Sequence, residues 1–215
     1  MQLKPTAELL DDDLGSPEEI TRSLDELWWI NQHLGGLSSW RKLLRQAALP
    51  RGLTLLDIGS GTGQVAAWIG TEMQARVVAL DRRASHLGGD GRRVAADALR
   101  LPFLSSSFDV VTCNLFLHHF HGEPARALLG EMARVTRRAV IINDLERGWI
   151  PWLAIQTLGV RFSRITRHDG PRSVGQAYTR LELEALARQA APDMQARCRR
   201  YWPYRLGLLL ERSHA

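Results

Sequence analysis

The apolar run Leu53-Thr54-Leu55-Leu56-Asp57-Ile58 passes without a break into Gly59-Ser60-Gly61-Thr62-Gly63, and a helical pattern begins at about Gly63. A strand that turns through glycines straight into a helix must double back within a few residues, and glycine permits this because it adopts conformations closed to other residues. The same turn leaves free amides at a helix N-terminus with no side chains in the way, which is a place for a ligand. The alternation then repeats. Residues 75–80 (ARVVAL), 92–96 (RRVAA), 108–113 (FDVVTC) and 138–143 (RAVIIN) are short runs rich in valine and isoleucine, while Val65–Glu72, Ala84–Leu87 and Pro124–Arg134 read as helices. Such strands are covered on both faces, so the fold class is α/β, a Rossmann-like and mostly parallel sheet with crossover helices on either side.

The flanking regions read differently. In SPEEITRSLDELWWINQHLGG, Ser16 caps a helix, Pro17 suits its first turn, Glu19 completes a capping box and Gly35 stops it. Ile20, Leu24, Leu27, Trp28 and Leu34 form its apolar stripe, and a second helix is expected from Ser39 to Ala48. After Asp144 the pattern predicts a tryptophan-rich helix at 149–160 and an irregular stretch at 167–175 (RHDGPRSVG). A helix opened by Thr179 with Glu182 follows, then two strands turning around Trp202-Pro203-Tyr204. This divides the chain into an N-terminal helical lid over residues 1–50 and one compact ligand-binding unit over 51–215.

A chain of 215 residues, 45% of them apolar, builds such a core without metal or disulfide. Cys113 and Cys198 are its only cysteines, and a reduced, cytoplasmic protein is expected. The start MQLKPTAELLDDD lacks a basic segment followed by an apolar core, and no run approaches the roughly 20 apolar residues of a membrane span. The net charge is +5, but Lys4 and Lys42 are the only lysines, and an arginine bias of this kind is weak support for nucleic acid binding. Residues 8–26 are acidic and 134–205 arginine-rich, which reads as two solvated faces more readily than as an acidic lid over a basic mouth.

Spacing limits the ligand. Asp81 ends the next strand 18 residues beyond Gly63, where a carboxylate takes both hydroxyls of a ribose. A dinucleotide fingerprint would place its third glycine at Gln64, and no P-loop pattern exists, so phosphate readers are disfavoured. A nucleoside without phosphates remains.

The motifs LLDIGSGTGQVA (55–66), VVALDRR (77–83), AADALRLPFLSSSFDVVTCNLFLHHF (95–120) and RAVIIND (138–144) together resemble the class I S-adenosylmethionine-dependent methyltransferases, in particular the small-molecule branch that includes the ubiquinone and menaquinone methyltransferases. The resemblance covers roughly residues 50–145 and implies a seven-stranded sheet with the last strand antiparallel. It implies that Asp57 and the turn Gly59, Ser60, Gly61, Thr62 and Gly63 hold the amino-acid end of S-adenosylmethionine. Asp81, with Arg82 beside it, would take the ribose, Asp97 and the Ala98 amide the adenine, and Asn114 would line the methionine portion. The Asn-Leu-Phe-Leu sequence at 114–117 lacks the Pro-Pro-Tyr of DNA amino-methyltransferases, which points away from base amines and toward a small-molecule acceptor.

Trp28, Trp29, Ile30, Asn31 and Trp40 are placed to wall the acceptor or to cover the sheet. The segment INDLERGWIPW resembles a subset found with polyketide and phenolic pathways, which would put Asn143, Asp144 and Arg147 at the acceptor mouth; salt bridging of Arg147 is the competing account. Transfer to a hydroxyl needs a base, for which His168, His118 and His119 are candidates. Adjacent rings in a helix or turn point apart, so at most one of His118 and His119 is expected to face the methyl. His118, His119, His121 and Glu123 lack the order of a zinc motif, and no metal is expected. The reading is transfer of the methyl to oxygen, with carbon as the alternative, of a small aromatic, phenolic or polyketide-like metabolite by a monomer or homodimer. A non-catalytic cofactor-binding module and an RNA or protein methyltransferase are its alternatives.

Overall fold

The structure, a computed structural model, describes residues 1–88 and 91–212. Seven strands run β1 (Thr54–Ile58), β2 (Arg76–Asp81), β3 (Arg92–Ala95), β4 (Phe108–Asn114), β5 (Thr136–Leu145), β6 (Met194–Tyr201) and β7 (Arg205–Arg212). They form one sheet in the order β3-β2-β1-β4-β5-β7-β6. Pairings among β1 to β5 are parallel, and β7 runs antiparallel to both β5 and β6. The chain winds outward from β1 through β2 to β3 and then crosses to β4, so strand order reverses between β1 and β4. A crevice opens at the carboxyl ends of the strands at such a point.

Seven helices surround the sheet: α1 (Pro17–His33), α2 (Gly36–Ala47), α3 (Gln64–Met73), α4 (Glu123–Val135), α5 (Trp149–Leu158), α6 (Arg164–Gln176) and α7 (Arg180–Ala190). Alternation along β1 sends Leu56 and Ile58 into the core beneath α4 and α7, and Leu55 into the second core, which holds Trp40 and Leu43 of α2 and Ile69 of α3. Asp57 shares the face of Leu55. Both expected capping boxes are present, Ser16 with Glu19 on α1 and Thr179 with Glu182 on α7. Gly35, at φ +82, separates α1 from α2, and a Cβ there would lie 2.4 Å from the Pro203 ring. The second helix therefore starts at Gly36, three residues before the expected Ser39.

Two expectations fail. Ala84–Leu87 is a turn, with single bonds from the His86 amide to the Arg83 carbonyl (3.1 Å) and from the Leu87 amide to the Ala84 carbonyl (3.3 Å). Its side chains serve the N-terminal segment instead: Asp13 takes His86 Nε2 at 2.6 Å and Arg83 at 3.4 Å. Residues 167–175 are not irregular but lie within α6, which passes through Pro171. An interior proline costs a helix about 3 kcal/mol. Here one face of the helix is buried at Ile165, Thr166, Asp169 and Val174, and tertiary packing overrides the local penalty.

Residues 1–15 form a strap across the open end of the sheet. The Lys4 amide donates to the Gly175 carbonyl, and the Leu9 and Leu10 amides donate to the two Asp169 oxygens at 2.9 and 3.1 Å. The Asp11 carbonyl accepts from Arg83 at 2.9 Å. The strap thus ties α6 to the tip of β2.

Candidate functional site

Strap, α1, α5, α6 and the carboxyl ends of the strands enclose a cavity of about 720 Å³. One half is built by the glycine turn. Gly59, Gly61 and Gly63 have φ of +66, +51 and +77, and a Cβ on Gly59 would fall 2.3 Å from the Phe116 ring. A side chain is excluded there by both conformation and space. Asp81 sits at the β2 tip with its two oxygens accepting from the Gly61 amide (2.9 Å) and the Arg83 amide (3.0 Å). Asp57 is buried and accepts from Thr112 Oγ1 at 2.7 Å. Burial pushes its carboxyl up to about 6, so it stands ready to ionise against an incoming cation. Asp97 is exposed at the cavity edge, with one oxygen on the Leu99 amide, and Ala98 beside it is buried. Asp57, Gly59, Ser60, Gly61, Thr62, Asp81, Arg82, Asp97 and Ala98 line the cavity, whereas Gly63 shapes the turn from outside the lining.

The acceptor half departs further from expectation. Trp28 and Asn31 are in the wall, whereas Trp40 is fully buried under the sheet, so the tryptophans divide between the two roles. Asn114 also reaches the wall. It accepts from Trp40 Nε1 (2.9 Å) and Asn143 Nδ2 (3.0 Å) and donates to Asn31 (3.2 Å). Asn143 is wholly buried behind it, outside the wall, anchored by the Ser39 hydroxyl at 2.8 Å. It fixes Asn114 rather than meeting an acceptor. Arg147 is likewise absent from the wall: its guanidinium binds the Ala177 carbonyl and Glu182 and ties α7 to β5, the salt-bridged account.

His168 is on α6 but outside the cavity wall, one third exposed, with Nδ1 held by the adjacent Asp169 at 2.7 Å. Helical geometry turns it away from the face that carries Asp169 and Ser173 into the cavity. His118 and His119 do both reach it. They occupy a 3₁₀ turn at 117–119, and their rings lie side by side, centroids 4.2 Å apart and planes 32° apart, instead of diverging. Each has its own acid. Asp144, at the end of β5, takes His118 Nδ1 at 2.6 Å and the His118 amide at 3.1 Å, and Asp11 of the strap takes His119 Nδ1 at 2.9 Å. Burial works upward on Asp144, but the charge and hydrogen bond of His118 bring it below the ordinary carboxylate range. Asp11 is held below that range in the same way by His119.

Two further groups were missed by sequence reasoning. Glu8 of the strap is buried, with Oε1 accepting from Ser173 Oγ (2.7 Å) and Gln176 Nε2 (2.6 Å) and lying 3.8 Å from His118 Nε2. Glu8, His118 and His119 place one ligand-type atom each within 4.8 Å of one another, the one such grouping that a divalent ion could draw together among the described residues. Arg205, at the head of β7, is 2% exposed, faces the cavity, and leaves Nη1 without a hydrogen-bond partner among the described residues. Burial lowers it to about 10, partly opposed by Asp144. An arginine opening the apolar run Leu206-Gly207-Leu208-Leu209-Leu210 was the available signal.

Burial pushes Glu8 from the ordinary 4.5 up to about 7. Between those values the unfolded chain releases the proton while the folded chain retains it, so stability falls as pH rises through this window. By linkage the loss above pH 7 amounts to roughly 3 kcal/mol. Glu8→Gln keeps the shape and removes the charge. Urea unfolding should show the variant more stable than the wild type at pH 8, and the two nearly equal at pH 4.5.

Residues 56–142 match the family described as "Methyltransferase domain". A demethylmenaquinone methyltransferase of Beutenbergia cavernae is 36% identical over 126 residues, covering 54% of this chain and 51% of the relative. One from Thermobifida fusca is 36% identical over 133 residues, covering 49% and 55%. The chain thus spans about half the length of the curated relatives it matches. Among solved structures, a SAM-dependent methyltransferase from Aquifex aeolicus superposes with a TM-score of 0.60 at 17% identity, covering 80% of this chain and 88% of that one. The plantazolicin methyltransferase BpumL, in complex with a triazolic desmethylPZN analog and SAH, gives 0.70 at 15% identity, covering 96% and 95%. Strand order, glycine turn and the matched domain together define a class I S-adenosylmethionine-dependent methyltransferase fold. Over about half of its length the sequence is similar to the demethylmenaquinone methyltransferases.

Proposed function

We propose that this chain transfers the methyl group of S-adenosylmethionine to a small aromatic acceptor through an ionisable hydroxyl, with His118 as the base. The cofactor half of the cavity fits the nucleoside: the side-chain-free turn leaves room for it, Asp81 offers two oxygens to a ribose, and Asp57 offers a buried carboxylate to the cationic amino-acid end. Asp97 and Ala98 would meet the adenine and Asn114 the methionine portion. When bound, the cofactor supplies an already electrophilic methyl group.

The chain's own part is positioning and proton transfer. The Asp144 hydrogen bond places the imidazole proton of His118 on Nδ1, which leaves Nε2 as a lone-pair acceptor on the cavity side. A hydroxyl presented to Nε2 gives up its proton there. The resulting oxyanion lies in a cavity that Arg205 also faces, its Nη1 without a partner among the described residues, in surroundings dry enough for that charge to count. His119, with Asp11, walls the same space. Trp28 and Asn31 line it from the α1 side, so α1 and the strap act as the lid. The observation that carries this reading is the Asp144–His118 pair in the wall of the cavity that Arg205 also faces.

Ring-carbon methylation is the second reading, favoured by the relatives named demethylmenaquinone methyltransferases. The same deprotonation makes carbons next to the oxygen nucleophilic. Incubation with methyl-labelled S-adenosylmethionine and a panel of alkylated phenols and hydroxyquinones should release S-adenosylhomocysteine and a labelled product, in which carbon NMR separates O-methyl from C-methyl. Cofactor binding with no S-adenosylhomocysteine release on any acceptor would sink the enzymatic reading. Label recovered in RNA or protein would redirect it.

A further inference from the structure

Helix α5, Trp149-Ile150-Pro151-Trp152-Leu153-Ala154-Ile155-Gln156-Thr157-Leu158, has no buried residue, although eight of its ten side chains are apolar. Its inner stripe, Pro151, Ala154, Ile155 and Leu158, lines the cavity at helical spacing. Gly170 of α6 lets it approach closely: a Cβ there would be 2.8 Å from Ile155. Its outer stripe faces solvent, with Trp149 and Ile150 each 65% exposed, Leu153 60% and the following Val160 67%. One helix therefore separates the acceptor cavity from an open apolar surface, and Leu158 belongs to both, lining the cavity while 48% exposed. Trp202, 75% exposed, belongs to the cavity wall as well.

Within this stretch of chain the charges are of one sign, although Glu26 of α1 accepts from Ser163 beside it. Residues 148–168 contain Arg161, Arg164 and Arg167 and no carboxylate. Arg164 is engaged by Glu19, whereas Arg161 and Arg167 are exposed and have no carboxylate within 4.0 Å among the described residues. Arg167 stands beside the end of α5, its Cγ 4.0 Å from where a Cβ of Gly159 would be. Exposed tryptophan and aliphatic side chains flanked by unpaired arginines are the composition of a helix lying in the interface of an anionic bilayer, where indole rings sit at headgroup level and guanidinium groups meet phosphates. A helix of ten residues is about 15 Å long, too small a platform on its own for the roughly 800 Å² per partner of a stable protein interface. No helix among the described residues is long and apolar enough to cross a membrane, so the contact would be peripheral.

We propose that the outer face of α5, with Arg161 and Arg167, docks the protein on an anionic lipid surface.

The test is sedimentation of the full chain with extruded vesicles, without cofactor. Binding is expected to vesicles of phosphatidylcholine containing phosphatidylglycerol, to weaken at least tenfold on phosphatidylcholine alone, and to fall at high salt. Ile150→Asp with Leu153→Asp should weaken binding at least tenfold, and Arg161→Glu with Arg167→Glu comparably. Neither pair lines the cavity, so both variants should bind S-adenosylmethionine by calorimetry as the wild type does. A wild type that stays in the supernatant with phosphatidylglycerol vesicles overturns the proposal. So do variants that sediment unchanged, or a wild-type dimer that the aspartate pair splits without any vesicle binding, which would make the face a contact between two copies. Vesicle binding without cofactor binding would leave the docking standing and remove the methyltransferase reading instead.

Discussion

His118→Ala is expected to lower kcat by about 10²- to 10⁴-fold, the range a positioned general base contributes, with the S-adenosylmethionine dissociation constant unchanged within about threefold. The expectation follows from where the imidazole is held. Asp144 grips both the Nδ1 and the main-chain amide of His118, so ring and backbone are fixed together and Nε2 alone remains for an acceptor. Removing the ring strands a buried carboxylate, and loss of one member of a buried pair can cost about 3–5 kcal/mol of stability. His118→Gln is therefore the companion variant: its amide can still donate to Asp144 but cannot take up a proton. If His118 is the base, both variants lose turnover while their affinity for S-adenosylmethionine stays near that of the wild type. Asp144→Asn should retain the ring yet lose at least tenfold, because an amide group no longer favours the Nδ1–H tautomer or the imidazolium that follows proton transfer. Normal turnover in a folded His118→Gln protein, measured with the acceptor identified by labelling, would remove His118 from the chemistry and leave the neighbouring His119–Asp11 pair to be tested.

What the sequence made legible is what short-range chemistry dictates. The strand–glycine–helix turn could be read because left-handed backbone angles at three successive odd positions admit little besides glycine, and the two capping boxes because each closes within three residues. Asp81 was legible as the acid at the tip of the next strand. What was misread depends on partners far along the chain. Residues 167–175 contain Gly170 and Pro171, locally a loop signal, yet Asp169 is bonded to amides 160 and 159 residues away, and packing keeps the helix. Ala84–Leu87 is a turn because Asp13, 73 residues from His86, claims its side chains. Asp144 was placed at the acceptor mouth, but its role as the partner of His118 spans 26 residues and depends on β4 and β5 being neighbours. Glu8 reaches the cavity only through the strap, and Arg205 only because β7 inserts beside β5. Asn143 and Arg147 were placed at the acceptor mouth on resemblance; one proves to be the support of Asn114 and the other a tie between β5 and α7.

Asp81→Ala should weaken binding of S-adenosylmethionine by about 10²- to 10⁴-fold. Two hydrogen bonds to a charged acceptor, each worth about 1.5–3 kcal/mol, set that range if the carboxylate holds both ribose hydroxyls. The carboxylate already accepts two main-chain amides, from Gly61 on the turn and Arg83 after β2, so its orientation is fixed before any ligand arrives. That preorganisation has a structural competitor: Asp81 could serve only to brace the turn, and alanine would then act by loosening Gly61. The two accounts separate on the size of the loss and on the fold. A ribose contact is shared by S-adenosylmethionine and S-adenosylhomocysteine, so calorimetry should show equal losses for both, with a melting temperature near that of the wild type because Asp81 is only partly buried. Asp57 provides the contrast. Its carboxyl, raised to about 6 by burial, gains most by ionising against a cation, so Asp57→Asn should weaken both ligands, which share the same cationic amino-acid end, and wild-type affinity for both should fall as pH drops below about 6. Equal, small effects of Asp81→Ala on both ligands with a large fall in melting temperature would instead assign this acid to the architecture of the turn and leave the ribose without its proposed partner.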